Sequence, residues 1–203
     1  MAKTTIFIFH PDLSQSTINL RLAQAAEGLD GVEIRDMYAL YPDFNFDIEA
    51  EQNLLEHTDR IVLQFPIQWY SSPPLLKKWE DDVLTWGWAY GTNGDALQGK
   101  ELLLAVSAGA VAAHYRRFDT RRSVADVLFR RRRRDRDAAS SGYTMNDVLR
   151  PFQATSVIIG TDYLEPFVTP GATTMHTADL EARAKAYARY VTSRKLRILD
   201  TYQ

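Results

Sequence analysis

Two adjacent aromatics, Trp69 and Tyr70, follow a short apolar run and are flanked by Gln68 and by Pro66, Pro73 and Pro74. A loop of this make-up presents backbone N–H groups beside an aromatic wall, which suits stacking on a flat ligand. The alternative is core packing, but two bulky rings side by side after a strand are poorly placed to turn inward together. A second stretch, Ser16, Thr17, Ile18 and Asn19, reads as the start of a helix. Its free backbone donors and the positive end of the dipole make a seat for an anion, although taken alone the pattern is also plain capping. His10 closes the first apolar run, either as a donor to that anion or as a structural histidine. A third stretch, Ser107, Ala108, Gly109 and Ala110, is built of small residues that let backbone approach a ligand edge closely.

The elements that must position these stretches alternate along the chain. Residues 4–9 are a β-branched, apolar first strand, and a helix from Ser16 carries Ile18, Leu20, Leu22, Ala25, Ala26 and Leu29 as its apolar positions. Residues 32–37 read as a second strand, followed by a polar, aromatic-rich loop over 38–46 and a short acidic helix around 48–57. Residues 61–65 form a third strand that stops at Pro66, and Pro73 and Pro74 open an amphipathic helix. Residues 101–106 are a fourth strand, and 144–160 a helix kinked or reset at Pro151. Residues 163–169 are a fifth strand, and a closing helix runs from Thr177 to about Arg194. Strand alternating with helix throughout predicts an α/β fold: a doubly wound parallel sheet with helices on both faces. Ligand loops after the first, third and fourth strands suit five strands in the order 2-1-3-4-5.

Composition removes other classes. The chain has 203 residues, a net charge of −2 and no cysteine, which excludes disulfides and cysteine-based metal or redox chemistry. That charge gives no general attraction for nucleic acid or anionic membrane. The only early apolar run is too short for a signal segment, and no stretch approaches a membrane span, so a cytoplasmic protein is expected. There is no GxxxxGK[ST], no GxGxxG after the first strand and no GxSxG, which disfavours P-loop, Rossmann and hydrolase chemistry. A phospho-receiver domain is disfavoured because the third strand ends in Phe65-Pro66 where an aspartate is needed.

The stretch over 61–91 resembles the NAD(P)H:quinone oxidoreductase branch of the flavodoxin-like fold. That branch includes the smaller flavoproteins ancillary to glutathione-gated potassium efflux systems. Its pattern reads here as Pro66, Gln68-Trp69-Tyr70, Pro73 and Leu76-Lys77-Lys78-Trp79. Tyr41-Pro42-Asp43-Phe44 and Gly87-Trp88-Ala89-Tyr90-Gly91 are similar to the efflux-ancillary members. The resemblance implies a flavin, FMN with FAD as the alternative. His10, Ser16, Thr17, Ile18 and Asn19 would hold its phosphate. Pro66, Ile67, Gln68, Trp69 and Tyr70, with Ser107, Ala108, Gly109 and Ala110, would hold its ring. Ala110 replaces a family glycine and therefore must avoid positive φ. Tyr115 falls on a tyrosine that assists hydride transfer. Its histidine partner in the larger members has no counterpart, because around Arg121 stand only arginines.

The resemblance further implies NAD(P)H as hydride donor, a quinone as acceptor in a ping-pong exchange, and a homodimer. Trp86, Trp88, Ala89 and Tyr90 are candidates for the dimer face or, equally, for an ordinary buried helix end. The alternative function is a regulatory subunit of a potassium efflux transporter, at the inner membrane through that partner. Residues 116–137 interrupt the resemblance with ten arginines and four aspartates, atypical within what otherwise reads as one domain over 1–203. This stretch reads as a solvated loop, or else as a grip for the extra phosphate of NADPH, an acidic partner or RNA. A five-arginine run with no interleaved aromatics makes nucleic acid unlikely. A flavin-free interaction module using this stretch is the third reading.

Overall fold

The computed structural model describes residues 2–117 and 140–200. The first strand, β1 (Thr4–Ile8), is buried along its whole length, as a strand covered on both faces must be. It pairs in parallel with β2 (Val32–Asp36) on one side and β3 (Arg60–Pro66) on the other. Beyond β3 lies β4 (Glu101–Ala108), again parallel. The fifth position is filled by β5 (Asp162–Tyr163) and β6 (Phe167–Pro170), both parallel to β4. The order is therefore 2-1-3-4-5, as the alternation predicts.

The period-2 alternation of the strands divides the core in two. Ile6, Ile8, Val62, Leu103 and Ala105 face one side, where α1 (Thr17–Ala26) contributes Ile18 and Leu22. The last helix, Thr177–Val191, contributes Leu180, Ala184 and Tyr187 there. Phe7, Phe9, Leu63, Phe65 and Leu104 face the other side, against α3 (Ile48–Glu56), α4 (Pro74–Val83) and α5 (Met145–Ile159). The last helix is α6, and α2 is one turn, Met37–Leu40, set directly after β2.

Several boundaries differ from the sequence reading. The loop expected over 38–46 begins with α2, because the Asp36 carboxylate accepts from Ala39 N and caps it. Met37 therefore leaves the strand. The fifth strand is broken. Tyr163 pairs with Leu102 and Phe167 with Ala105, so four chain steps face three and the extra residue forms a bulge. Pro166 has no N–H to continue a ladder, and Glu165 N turns outward to Arg197 O at 2.8 Å. The tail follows: Leu199 N bonds Tyr163 O at 2.8 Å, and Ile198 bridges Leu164 in antiparallel sense. Helix α5 runs through Pro151 without a break, and α6 ends at Val191, short of Arg194. Pro66, expected beyond β3, is its last residue.

One acid is out of place in this packing. Glu80 on α4 borders a small cavity of about 20 Å³ lined mostly by apolar side chains such as Leu55, Leu63, Leu97 and Ile159. Burial pushes its carboxyl up to about 7; Lys77 opposes the shift and Asp81 adds to it. A carboxyl with a raised folded-state pKa stabilises fully below its ordinary value, and that contribution is lost as pH rises through about 7. Glu80→Gln should therefore be near neutral at about pH 5 and stabilising by about 1–2 kcal/mol at about pH 8, after discounting for partial exposure. Urea unfolding at both values checks this; equal effects at the two would refute it.

Candidate functional site

Three loops converge at the carboxyl end of the sheet, after β1, β3 and β4. The first is fixed by Ser16, the N-cap of α1, whose Oγ accepts from Asn19 N at 3.1 Å and Asn19 Nδ2 at 3.3 Å. Having accepted twice, the hydroxyl keeps its own proton to donate. Thr17 N and Ile18 N, the first two helical N–H groups, make no bond to the described residues, as a helix start requires. The Ile18 side chain is buried in the core, so that residue can offer only its backbone. Asn19 is buried and ties this helix start to Ser107 Oγ at 2.9 Å.

His10 lies at the entrance to the same loop. Its Nδ1 accepts from Asp12 N at 3.2 Å, which places the proton of the neutral ring on Nε2 as a donor. Desolvation lowers its pKa against the raising influence of Asp12 and Asp36.

The second loop is a two-residue turn. Gln68 N bonds Ser71 O and Ser71 N bonds Gln68 O, both at 2.9 Å, and the two central residues have φ of 49° at Trp69 and 63° at Tyr70. Two positive φ values make this a type I′ turn, which ordinarily takes Asn-Gly. Bulky side chains in the left-handed region cost about 1–2 kcal/mol each. The strain is not repaid by burial, since Trp69 is 96% exposed and Tyr70 48%. Core packing is thus excluded for Trp69. The N–H groups of Trp69 and Tyr70 make no bond to the described residues. Ile67 N, by contrast, is held by Ser107 O at 2.7 Å.

The third loop is shorter than the sequence implies. Ser107 and Ala108 belong to β4 and are buried, because β6 continues alongside them at Thr169 and Pro170. Gly109 and Ala110 alone stand beyond the strand. The carbonyls of Ala108, Gly109 and Ala110 accept from Ala172 N, Thr173 Oγ1 and Gly171 N, so the turn has N–H groups left for a ligand. Ala110 is not among the positive-φ residues, so the loss of a glycine costs nothing there.

Tyr115 follows the short 3₁₀ turn Ala112–His114 and packs half-buried against the core. Burial, with a smaller contribution from Tyr70, raises its pKa and keeps the hydroxyl protonated. The sequence reading found no histidine for this tyrosine, yet His114 stands edge-on to it with ring centroids 5.3 Å apart. The signal was the His114-Tyr115 dipeptide itself. Tyr143 is another group the reading passed over. With Tyr70, Ser141, Asp147, Val148 and Pro151 it lines a recess of about 440 Å³. Asp147 is held well below the usual carboxylate range by its bonds to Thr144, in a capping box, and by Arg117. The arginine stretch beyond Arg117, through Asp137, lies outside the described residues. Among the described residues no cluster of His, Asp and Glu could hold a metal ion, and no helix is long and apolar enough to cross a membrane.

The chain matches a family model described as flavodoxin-like fold over residues 2–133. A Bacillus subtilis protein named uncharacterized NAD(P)H oxidoreductase YrkL is 38% identical, covering 93% of this chain and 97% of the relative. The chain belongs to the flavodoxin-like NAD(P)H:quinone oxidoreductase family. Among solved structures, general stress protein 14 of Treponema denticola in complex with FMN is 39% identical, with a TM-score of 0.78 over 93% of this chain and 97% of that one. A chain described as a thermophilic tryptophan halogenase from Streptomycin violaceusniger is 44% identical, with a TM-score of 0.82 over 94% and 99%. An NADPH-quinone reductase from P.pentosaceus is 28% identical, with a TM-score of 0.76 over 95% and 99%. These family relatives carry different reaction names on one fold, so the reaction must be argued from the site.

The strained turn supplies a direct test. Trp69→Asn keeps a residue that tolerates positive φ and gives up almost no burial. It should raise stability by about 1 kcal/mol, read as a higher urea midpoint. A lower midpoint would show that the indole is packed rather than displayed.

Proposed function

We propose that this protein is an FMN-dependent NAD(P)H:quinone oxidoreductase. The observation that carries the reading is the Trp69-Tyr70 turn, two aromatics held in strained backbone and left exposed beside an anion seat. Backbone strain kept without a packing return marks a functional site. The free N–H groups of Thr17 and Ile18, the Ser16 hydroxyl and His10 Nε2 suit a phosphate. Asn19 holds Ser16 in place. Pro66, Ile67, Gln68, Trp69 and Tyr70 would hold a planar ring together with the Gly109-Ala110 turn. Ser107 and Ala108 act from within β4, by holding Asn19 and the turn. FMN rather than FAD is favoured by the FMN bound to general stress protein 14 of Treponema denticola.

When bound, the flavin would accept a hydride from NAD(P)H and pass two electrons to a quinone in a ping-pong exchange. The chain's own share is binding, orientation and charge. Donors aimed at the ring edge from Trp69, Tyr70, Gly109 and Ala110 would stabilise the negative charge that gathers there on reduction. Tyr115, neutral at any ordinary pH, would donate a hydrogen bond to the incoming substrate. A second copy would close the slot. This is supported by Trp86, which is 67% exposed while its loop is locked beneath it. A side chain on Gly91 would collide with the Trp86 ring at 2.6 Å, and one on Gly94 with Tyr90 O at 2.2 Å.

The purified protein should show the two-band absorbance of an oxidised flavin, or gain it on incubation with FMN, and the released cofactor should have the mass of FMN. A colourless protein that cannot be reconstituted would end the reading. Trp69→Ala with Tyr70→Ala should weaken FMN retention by at least about tenfold, since ring stacking is worth about 1 kcal/mol or more per aromatic; equilibrium dialysis measures it.

A further inference from the structure

A second cavity lies at the amino end of the sheet, at the far end of the strands from the crevice. It forms where β1, β2 and β3 begin and the last helix ends, and holds about 310 Å³. Pockets for small ligands start near that size, at about 300 Å³. Arg60, only 3% exposed, lines it. Its Nε donates to Glu101 Oε2 at 2.6 Å, Nη1 to Val191 O at 2.6 Å and Nη2 to Ser193 O at 2.8 Å. The carbonyl end of a helix is the negative end of its dipole, so a cation is well placed there. Each Nη has one further N–H beyond these bonds, available to a ligand.

The other polar groups of the cavity are set to receive opposite charges. Ser193 Oγ accepts from Lys195 N at 3.3 Å and keeps its own proton to donate. Thr192 Oγ1 gives its proton to Ala188 O at 2.9 Å and keeps lone pairs to accept. Asp30 and Arg194, both exposed, line the same cavity, yet neither side chain makes a hydrogen bond or ion pair with a described residue. The turn that carries Asp30 is fixed, since Thr4 N donates to Gly31 O at 2.8 Å and Val32 N to Leu29 O at 3.1 Å. Ala2, Val32 and Val191 add apolar surface.

We infer that this cavity binds a free α-amino acid with an aliphatic side chain, its carboxylate on Arg60, Arg194 and Ser193 and its ammonium on Asp30 and Thr192. Charge decides between ligand classes. The guanidiniums of Arg60 and Arg194 are balanced by the carboxylates of Glu101 and Asp30, so the site is neutral but divided. A phosphate or a simple carboxylate would bring its charge beside Asp30, and a simple amine would meet two guanidiniums. A ligand with both charges one carbon apart answers both sides, and the planar guanidinium fork matches a carboxylate. No aromatic residue lines the cavity among the described residues, so a nucleobase has nothing to stack on. The apolar surface suits an aliphatic side chain. None of these residues belongs to the crevice loops, so the inference stands apart from the quinone reductase reading.

The test is isothermal titration of the purified protein with L-leucine, beside 4-methylpentanoate and 3-methylbutylamine, which each lack one of its two charges. L-leucine should saturate a single site, and each analogue should bind at least about tenfold more weakly, as the loss of a charge-assisted hydrogen bond implies. Asp30→Asn and Arg194→Gln should each weaken L-leucine by about the same factor. Both residues are exposed and remote from the crevice, so flavin content should not change in either variant. Amide shifts induced by L-leucine in nitrogen-15-labelled protein should centre on residues 192–194. No saturation by L-leucine, equal binding of the three compounds, or variants that bind as the wild type does would each overturn the site. Inorganic phosphate binding more tightly than L-leucine would overturn it too, by making the cavity a plain anion site. A protein that takes up no flavin yet binds L-leucine as described supports this inference while removing the quinone reductase reading.

Discussion

The site depends on a buried chain of polar contacts beneath it. Tyr187 OH donates to Gln64 Oε1 at 2.8 Å, and Gln64 Nε2 donates to Asn19 O at 2.8 Å. Asn19 Nδ2 then reaches Ser107 Oγ at 2.9 Å, and Ser107 O accepts from Ile67 N at 2.7 Å. The last helix, β3, the start of α1, β4 and the aromatic loop are thereby linked in one line. The first three links are buried, so breaking one strands a polar partner at a cost of about 1–3 kcal/mol. The three ligand loops are thus held in a fixed relation from beneath by the core. Asn19 Oδ1 is the exception, buried with no partner among the described residues, in a side chain that touches both the anion seat and β4.

That frame explains how a strained turn survives. Loops carry function when a rigid scaffold positions them. Here the cost of two left-handed aromatics is small against the cost of disturbing strands buried on both faces. A second buried group serves the same end on the other side of the sheet. The carboxylate of Glu51 accepts from Arg35 at 2.5 Å, Tyr41 at 2.8 Å and Trp79 at 2.9 Å. It pins the segment after β2 against α3 and α4. The Tyr38 hydroxyl, from the same segment, accepts from Leu75 N at 3.4 Å, at the very start of α4. The start of the helix that leaves the aromatic turn is therefore tied to that segment.

Much of this was legible in the chain because its signals are local. Ser16 reads as a cap from its place before an apolar helix. Trp69 and Tyr70 read as exposed because a strand end and three prolines leave them nowhere to pack. What escaped the sequence was set by contacts distant along the chain. Residues 163–169 look like one strand, and the bulge arises only because the register to β4 slips by one residue. Glu51 sits in a helix of acidic appearance, and nothing local shows that Arg35, Tyr41 and Trp79 converge on it. His114 carries no local signal, since Tyr70, whose hydroxyl lies 3.1 Å from its Nε2, stands 44 positions away.

The bulged fifth position carries one more consequence. At that border the main-chain groups of Tyr163, Leu164 and Glu165 are met by residues 197–199 of the same chain. An open border of this kind is a template on which a foreign strand can grow, and natural sheets guard against it. Here the guard is the tail running antiparallel to its neighbours, so the lateral route to fibrous growth is closed at that side.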